Sequence, residues 1–359
     1  MLVHICCAVD SHYFLQKLRK DFPDEKLVGF FYDPNIHPYS EYYLRLLEVK
    51  RSCKELGIEL IEGEYDFESW LNAVRGFESE PEKGKRCTLC FDYRFEESAK
   101  VCAKLGLKRF TSTLLTSPKK SISQLQRAGE EIAKKYQIEF ITVDYRSKSG
   151  TQEQNILAKE AKLYRQDYCG CIYGLKMQRK EQKKFEDELF CPISGRVEPE
   201  SIEYRIELYQ RRVELEKEGQ NYEIIKERFL NYRLKFGLLK VKKSPTPCHF
   251  LPYSTLKRNY TRGNIEREID GVYFLNRDEV KFITLKKYNQ LSKRDYKSIR
   301  ELIFNPPSFE EELQVRAKIS PNPYSLSTVV VVEEILPKKI EIFLDSSVYE
   351  DVIERLILV

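Results

Sequence analysis

The chain has 359 residues, which at roughly 150 per domain suggests two or three domains and excludes a minidomain stapled by a single metal ion. Hydrophobic residues make up 42% and charged residues 33%, and no apolar run approaches the roughly 18 residues of a membrane-spanning helix, so a soluble globular protein with no membrane partner is expected. The net charge of +5 hides an asymmetry: residues 231–300 hold 17 Lys/Arg against 6 Asp/Glu, residues 301–359 hold 5 against 11, and residues 1–230 balance to zero.

The first nine residues are apolar, but they lack a basic flank and run into Asp10 rather than a small-residue cleavage site, so they read as a buried strand and not a signal peptide. Short apolar runs at 2–8, 26–32, 58–64, 109–115 and 139–145 alternate with amphipathic helical patterns near 12–21, 40–56, 91–105 and 121–136. More helix follows at 151–166 and about 173–188. This alternation predicts an α/β domain over residues 1–190, with a doubly wound, mostly parallel sheet of the Rossmann-like, nucleotide-binding type. Ligands of such sheets sit at the carboxyl ends of the strands, so the loop Cys6-Cys7-Ala8-Val9-Asp10-Ser11 is expected to be part of the site. The punctuation Cys191-Pro192-Ile193-Ser194-Gly195 closes this domain. Residues 191–359 read as a second, α+β domain: a charged helical segment over 200–236, strand-like runs at 271–276, 280–285, 328–333 and 339–344, and a short helix near 348–356.

Cysteine carries most of the chemical information. Ten cysteines without a secretory signal point to a reducing, cytoplasmic compartment, where clustered thiols bind metal or do redox chemistry. Six fall in three tight pairs, Cys6-Cys7, Cys87-x-x-Cys90 and Cys169-x-Cys171. Four thiolates can wrap zinc or an iron-sulfur cluster, and the adjacent pair in a rigid loop favours the cluster, which offers a separate iron to each. The remaining pair can hold a second metal ion or cycle through a strained, easily reduced disulfide. Asp10 either adds a hard ligand in the same loop or caps the helix beginning at Ser11. Cys53 and Cys102 belong to core faces, Cys191 and Cys248 adjoin prolines and carry no chemistry, and His4 and His12 read as core or surface groups. His37 differs, because its loop follows the second strand and faces the same sheet edge as Cys6 and Cys7.

These residues resemble the QueH family of cobalamin-independent epoxyqueuosine reductases over about residues 1–190. The resemblance rests on His4-Ile5-Cys6-Cys7-Ala8, on Phe31-Tyr32-Asp33-Pro34-Asn35-Ile36-His37-Pro38 with Glu41, Tyr42 and Arg45, and on Arg86-Cys87-Thr88-Leu89-Cys90-Phe91 with Arg94. It continues through residues 113–120 and 164–171. The family pattern commonly runs Cys-Cys-Ala-Pro-Cys, and Val9 and Asp10 stand here where the proline and third cysteine would be. The resemblance implies deoxygenation of epoxyqueuosine at the tRNA wobble position, the last step of queuosine synthesis, with electrons from an unidentified donor. It implies that Cys6, Cys7, Cys87 and Cys90 hold a 4Fe-4S cluster. Cys169 and Cys171 would then be a redox pair or, with Asp10, the ligands of a second, mononuclear iron. His37 and Glu41 are candidate proton donors by loop position.

In the second domain the basic excess is interleaved with Tyr232, Phe236, Phe250, Tyr253, Tyr260, Tyr273, Phe274, Phe282, Tyr288 and Tyr296. Basic groups neutralise phosphates and exposed rings stack on splayed bases, so tRNA contact is expected there, against the alternative that the rings fill a core. Two other functions share parts of this pattern. An adenylyl-sulfate reductase or tRNA thiolase would need a phosphate cradle, yet the first loop has no glycine. A noncatalytic zinc protein that binds RNA leaves Cys169-Gly170-Cys171 unexplained.

Overall fold

The computed structural model describes residues 1–147, 149–190, 195–320, 322–335 and 339–359, so Cys191 and most of the expected domain break lie outside the described residues. The chain divides into two units, Met1–Glu186 and Asp187–Val359. Among the described residues no helix is long and apolar enough to cross a membrane.

In the first unit the elements run β1 (Leu2–Ile5), α1 (Ala8–Asp21), β2 (Val28–Phe31), α2 (Tyr39–Glu55), β3 (Glu59–Glu62), α3 (Phe67–Ala73) and α4 (Lys85–Lys104). They continue β4 (Arg109–Ser112), α5 (Ile122–Tyr136), β5 (Glu139–Phe140), α6 (Gly150–Glu160) and α7 (Ile172–Gln182). The five strands are parallel in the order β3-β2-β1-β4-β5, so the doubly wound sheet predicted from the sequence is present. β1 and β2 are buried along their whole length, which is why they read as continuous apolar runs. α5 shows the complementary pattern, burying Leu125, Ala128, Gly129, Ile132 and Ala133 on one stripe, with the Ser121 hydroxyl accepting from the Gln124 N–H at its start. Gly129 lies so close to β5 that a Cβ there would come within 2.4 Å of the Phe140 ring. Strand order reverses between β1 and β4, and the loops leaving their carboxyl ends flank the switch point.

The second unit contains α8 (Ile202–Lys217), β6 (Tyr222–Val241), β7 (Ser244–Thr246), β8 (Cys248–Phe250), β9 (Tyr260–Gly263), β10 (Ile265–Ile269), β11 (Val272–Leu275) and β12 (Lys281–Thr284). α9 (Leu285–Ser292), α10 (Ile299–Phe304), α11 (Phe309–Ile319), β13 (Val329–Val332) and β14 (Ile340–Leu358) complete it. The α+β expectation holds, with one sheet ordered β10-β11-β12-β13-β8 and another β7-β6-β14-β9. Period-two alternation splits β13 between two cores: Val330 and Val332 pack with Phe250 and Ile342, while Val329 and Val331 pack with Tyr288, Leu302 and Val315 of the helices.

Two helical expectations are overturned. The helix predicted over 200–236 ends at Lys217, and the one near 348–356 is strand, because β6 and β14 pair antiparallel from Ile340↔Val241 to Leu358↔Tyr222. The stacking expectation for the aromatic series is also cut back. Tyr232, Phe250, Tyr253, Phe282 and Tyr288 are buried, and of the ten only Phe236 and Tyr260 are exposed.

Candidate active site at the carboxyl edge of the parallel sheet

β1 ends at Ile5, and the next two residues are Cys6 and Cys7, with Cys7 as the residue that opens α1. The helix starts at Ala8, so Asp10 lies inside its first turn and is not its cap. Cys6 Sγ is 3.9 Å from Cys7 Sγ and 3.8 Å from Asp10 Oδ2, and the three ligand atoms all lie within 4.8 Å of one another. Gln154 Nε2 on α6 donates to Asp10 Oδ1 at 2.6 Å, and Thr113, just past β4, accepts from the Cys6 N–H at 3.3 Å. Burial raises the Asp10 carboxyl above its ordinary range, and the Gln154 bond only partly offsets this. The Cys7 thiol is pushed well up by its contact with Cys6 and by burial.

A second group forms beside it. Cys87 and Cys90 stand one turn apart on α4, and Cys169-Gly170-Cys171 lead into α7. All four line one small cavity with Trp70, Arg86, Arg94 and Lys120. Gly170 adopts φ +101°, and a Cβ there would meet Ile36 at 2.8 Å, so the tight Cys169–Cys171 turn requires glycine. Trp70 packs against Cys90 and Cys171 with its indole N–H buried and without an oxygen acceptor among the described residues.

Lys120 controls the charge of this group. Its Nζ donates to Cys169 Sγ at 3.2 Å. Burial alone would raise the Cys169 thiol, but the ammonium outweighs it and the thiol titrates below its ordinary value. Burial goes unmatched at Cys90 and Cys171, which are pushed up to about 11 and about 12. A larger cavity of about 370 Å³ shares Cys169, Lys120, Arg94 and Glu82 with the thiol cavity and is also lined by Cys6, Asp10, Asp33 and Gln154. Asp33 pairs with Arg94, both buried, and Asp33 Oδ2 has no hydrogen-bond partner among the described residues. Burial, resisted by Arg94, pushes the Asp33 carboxyl up to about 6.

The remaining expected site residues stand elsewhere. Glu41 is fully buried, accepting from Arg45 Nε at 2.6 Å and from the Tyr164 hydroxyl at 2.9 Å. Arg45 in turn donates to the Tyr168 and Cys169 carbonyls at 3.0 and 3.2 Å, so Glu41 acts on the shape of the cysteine turn. The His37 ring stacks on Phe67, and its backbone N–H donates to the Gly170 carbonyl at 2.8 Å. Neither Glu41 nor His37 lines either cavity. His4 and His12 bond to Ser112 and Ser52 in the interior, and Cys53 and Cys102 are core residues, as expected. Sequence reasoning gave no role to Lys120 and Arg94, although both stand in the matching motifs. Trp70 and Gln154 carry no local signal at all.

Residues 1–177 match the family model described as epoxyqueuosine reductase QueH. A QueH epoxyqueuosine reductase of Helicobacter pylori is 40% identical over 98% of this chain and 98% of its own length, so the similarity spans both units. That of Haemophilus influenzae is 37% identical over 50% of this chain and 73% of its own, and that of Thermotoga maritima 35% identical over 51% and 93%. With likeness of this extent, the chain belongs to the epoxyqueuosine reductase QueH family.

Proposed function

We propose that the two adjoining cavities bind and reduce an epoxide carried on tRNA. The chain is an oxidoreductase that reduces epoxyqueuosine to queuosine in tRNA. In this reading the nucleoside occupies the wobble position, the reaction completes queuosine synthesis, and it runs in the cytoplasm. The epoxide oxygen leaves as water and its two carbons become an alkene, which consumes two electrons and two protons. The electrons come from an external donor.

The observation that carries the reading is the pair of cavities that share Cys169, Lys120 and Arg94, one lined by four thiols and the other larger and lined by many charged and amide side chains. The donor set fits an iron-sulfur cluster. Four cysteines stand among the cations Arg86, Arg94 and Lys120, which offset the charge of bound thiolates, and the Trp70 N–H is a donor suited to sulfur. Cys87, Cys90, Cys169 and Cys171 would hold a 4Fe-4S cluster, while Cys6, Cys7 and Asp10 would hold a second iron. This grouping replaces the one implied by resemblance, which joined Cys6 and Cys7 to Cys87 and Cys90. It also gives Cys169 and Cys171 a place on the cluster instead of in a redox couple or, with Asp10, on a second iron. A cluster supplies electrons one at a time.

The chain's own residues supply the rest. Gln154 fixes Asp10, and the Glu41–Arg45 pair holds the Cys169 carbonyl. Asp33, with its carboxyl pushed up to about 6 and Oδ2 without a partner among the described residues, holds a proton for the leaving oxygen, a role that loop position alone gave to His37 and Glu41.

The test is anaerobic purification with iron, acid-labile sulfide and zinc measured together, followed by turnover of epoxyqueuosine-containing tRNA. Four sulfides with five irons are expected; Asp10→Asn should lose one iron and keep the sulfides, and Cys171→Ser should lose sulfide. Stoichiometric zinc without sulfide, and no turnover, refutes the reading.

A further inference from the structure

The second unit contains a cavity of about 360 Å³, within the roughly 300–1,000 Å³ of small-ligand sites. Its walls are Leu234 and Phe236 of β6, Phe250 of β8, and Ile303 and Pro306. Gly237 lets the Phe250 ring lie against the β6 backbone, since a Cβ there would come within 2.6 Å of it.

The polar side of the lining is a hydrogen-bonded network in which, among the described residues, one carboxylate oxygen is left over. Arg196 donates to Glu198 Oε1 through Nε at 2.7 Å and to Glu312 Oε2 at 2.5 Å, and His249 Nε2 contacts Glu312 Oε1 at 2.5 Å. The Arg196 charge is therefore met by two carboxylates, and the other cations of the lining, Arg233 and Lys235, pair with Asp187 and Asp345, which disfavours an anionic ligand beside Glu198. Glu198 Oε2 is the exception. Glu198 is only 9% exposed and lines the cavity, yet this oxygen has no hydrogen-bond partner among the described residues. A buried carboxylate oxygen without a donor is costly, and in the ionised form that the Arg196 contacts to Oε1 favour it only accepts, so it selects a ligand that presents an N–H or O–H.

We propose that this cavity takes one unstacked base of the tRNA, whose ring N–H or amino group donates to Glu198 Oε2 while its face stacks on Phe236. Apolar walls, a buried acceptor in the lining and an exposed phenyl ring are the features of a pocket for a splayed base. Phe236 is 52% exposed, Lys235 beside it lines the same cavity, and both lie within the stretch 231–300 that carries an excess of eleven positive charges, a composition suited to contact with phosphates. The proposal rests on the reading of tRNA as the substrate.

The test uses the full chain and fluorescence anisotropy with labelled substrate tRNA. Phe236→Ala should weaken binding about tenfold, a typical loss for one stacked base, and Phe236→Tyr should restore it. Glu198→Gln, which turns an acceptor into a group that can also donate, should weaken binding about tenfold as well. KM should rise in both, with kcat at saturating tRNA unchanged. Wild-type binding by Phe236→Ala overturns the proposal without appeal to Glu198, whose variant sits in a buried network. Binding of free GMP, AMP or CMP as tight as that of tRNA also overturns it, by making the cavity a free-nucleotide site. If the wild type binds tRNA but reduces none, the enzymatic reading fails while the base site is judged on the anisotropy alone.

Discussion

Replacing Lys120 by methionine should slow Cys169 as a nucleophile in the metal-free chain. At 3.2 Å and an effective dielectric constant of about 20, ammonium and thiolate attract by about 5 kcal/mol. At about 1.4 kcal/mol per pKa unit this is enough to hold Cys169 below its ordinary value, against a burial that pushes Cys90 up to about 11 and Cys171 to about 12. Without the ammonium, Cys169 should move toward those neighbours. A rise from an ordinary thiol near 8.5 to the lower of them reduces the thiolate fraction by roughly 300-fold. The more basic thiolate is also the better nucleophile, with a slope of about 0.4–0.5, so the net loss of rate is about 20-fold. The assay is iodoacetamide labelling of the reduced, metal-free protein at pH 7.5, with the Cys169 peptide quantified by mass spectrometry and Lys120→Arg as the charge-preserving control. Labelling of Lys120→Met at the wild-type rate would refute the claim that Lys120 sets the charge of this cavity.

Three further outcomes are expected. If Asp33 supplies the proton, turnover should fall as pH rises through about 6, where its carboxyl ionises, and Asp33→Asn should be slow and flat across that range. Glu312 is buried, and although burial would raise its carboxyl, His249 and Arg196 outweigh it and hold it below the ordinary range. Its contribution to stability is therefore complete above the unfolded value near 4.3 and is lost as pH falls through the depressed folded value. Glu312→Gln should cost about 3–5 kcal/mol at pH 7 in urea denaturation, and the difference from wild type should shrink in acid. Gly129→Ala would gain about 1 kcal/mol in an open helix, but here the added methyl overlaps the Phe140 ring, and overpacking of about 1–3 kcal/mol should make the variant less stable by the same measurement.

The legible parts of the fold were those whose partners are supplied locally or by burial on both faces. β1 and β2 announce themselves because every residue is apolar or enclosed, whereas α3 buries only Trp70 and leaves no stripe to read. Residues 222–236 carry their charges at spacings a helix would accept, and only the distant β14, which supplies their hydrogen bonds, makes them a strand. The site divides in the same way. Pairs such as Cys87 and Cys90 are visible as spacings, but which pairs share a cavity depends on the loops that the switch between β1 and β4 brings together. Glu41 and His37 lie on the right sheet edge, and their side chains are nevertheless spent on Arg45, Tyr164 and Phe67.

The β6–β14 ribbon sets the order in which the polypeptide can become protein. All five strands of the first unit have been made by Phe140, so its sheet can close while synthesis continues. Tyr222 must wait for Leu358, and until then β6 is a long strand with an open edge and nothing beside it along most of its length. Interrupted translation would therefore release a folded thiol-bearing unit attached to an adhesive, unpaired strand, which marks the second half of the chain as the part most dependent on protection during synthesis.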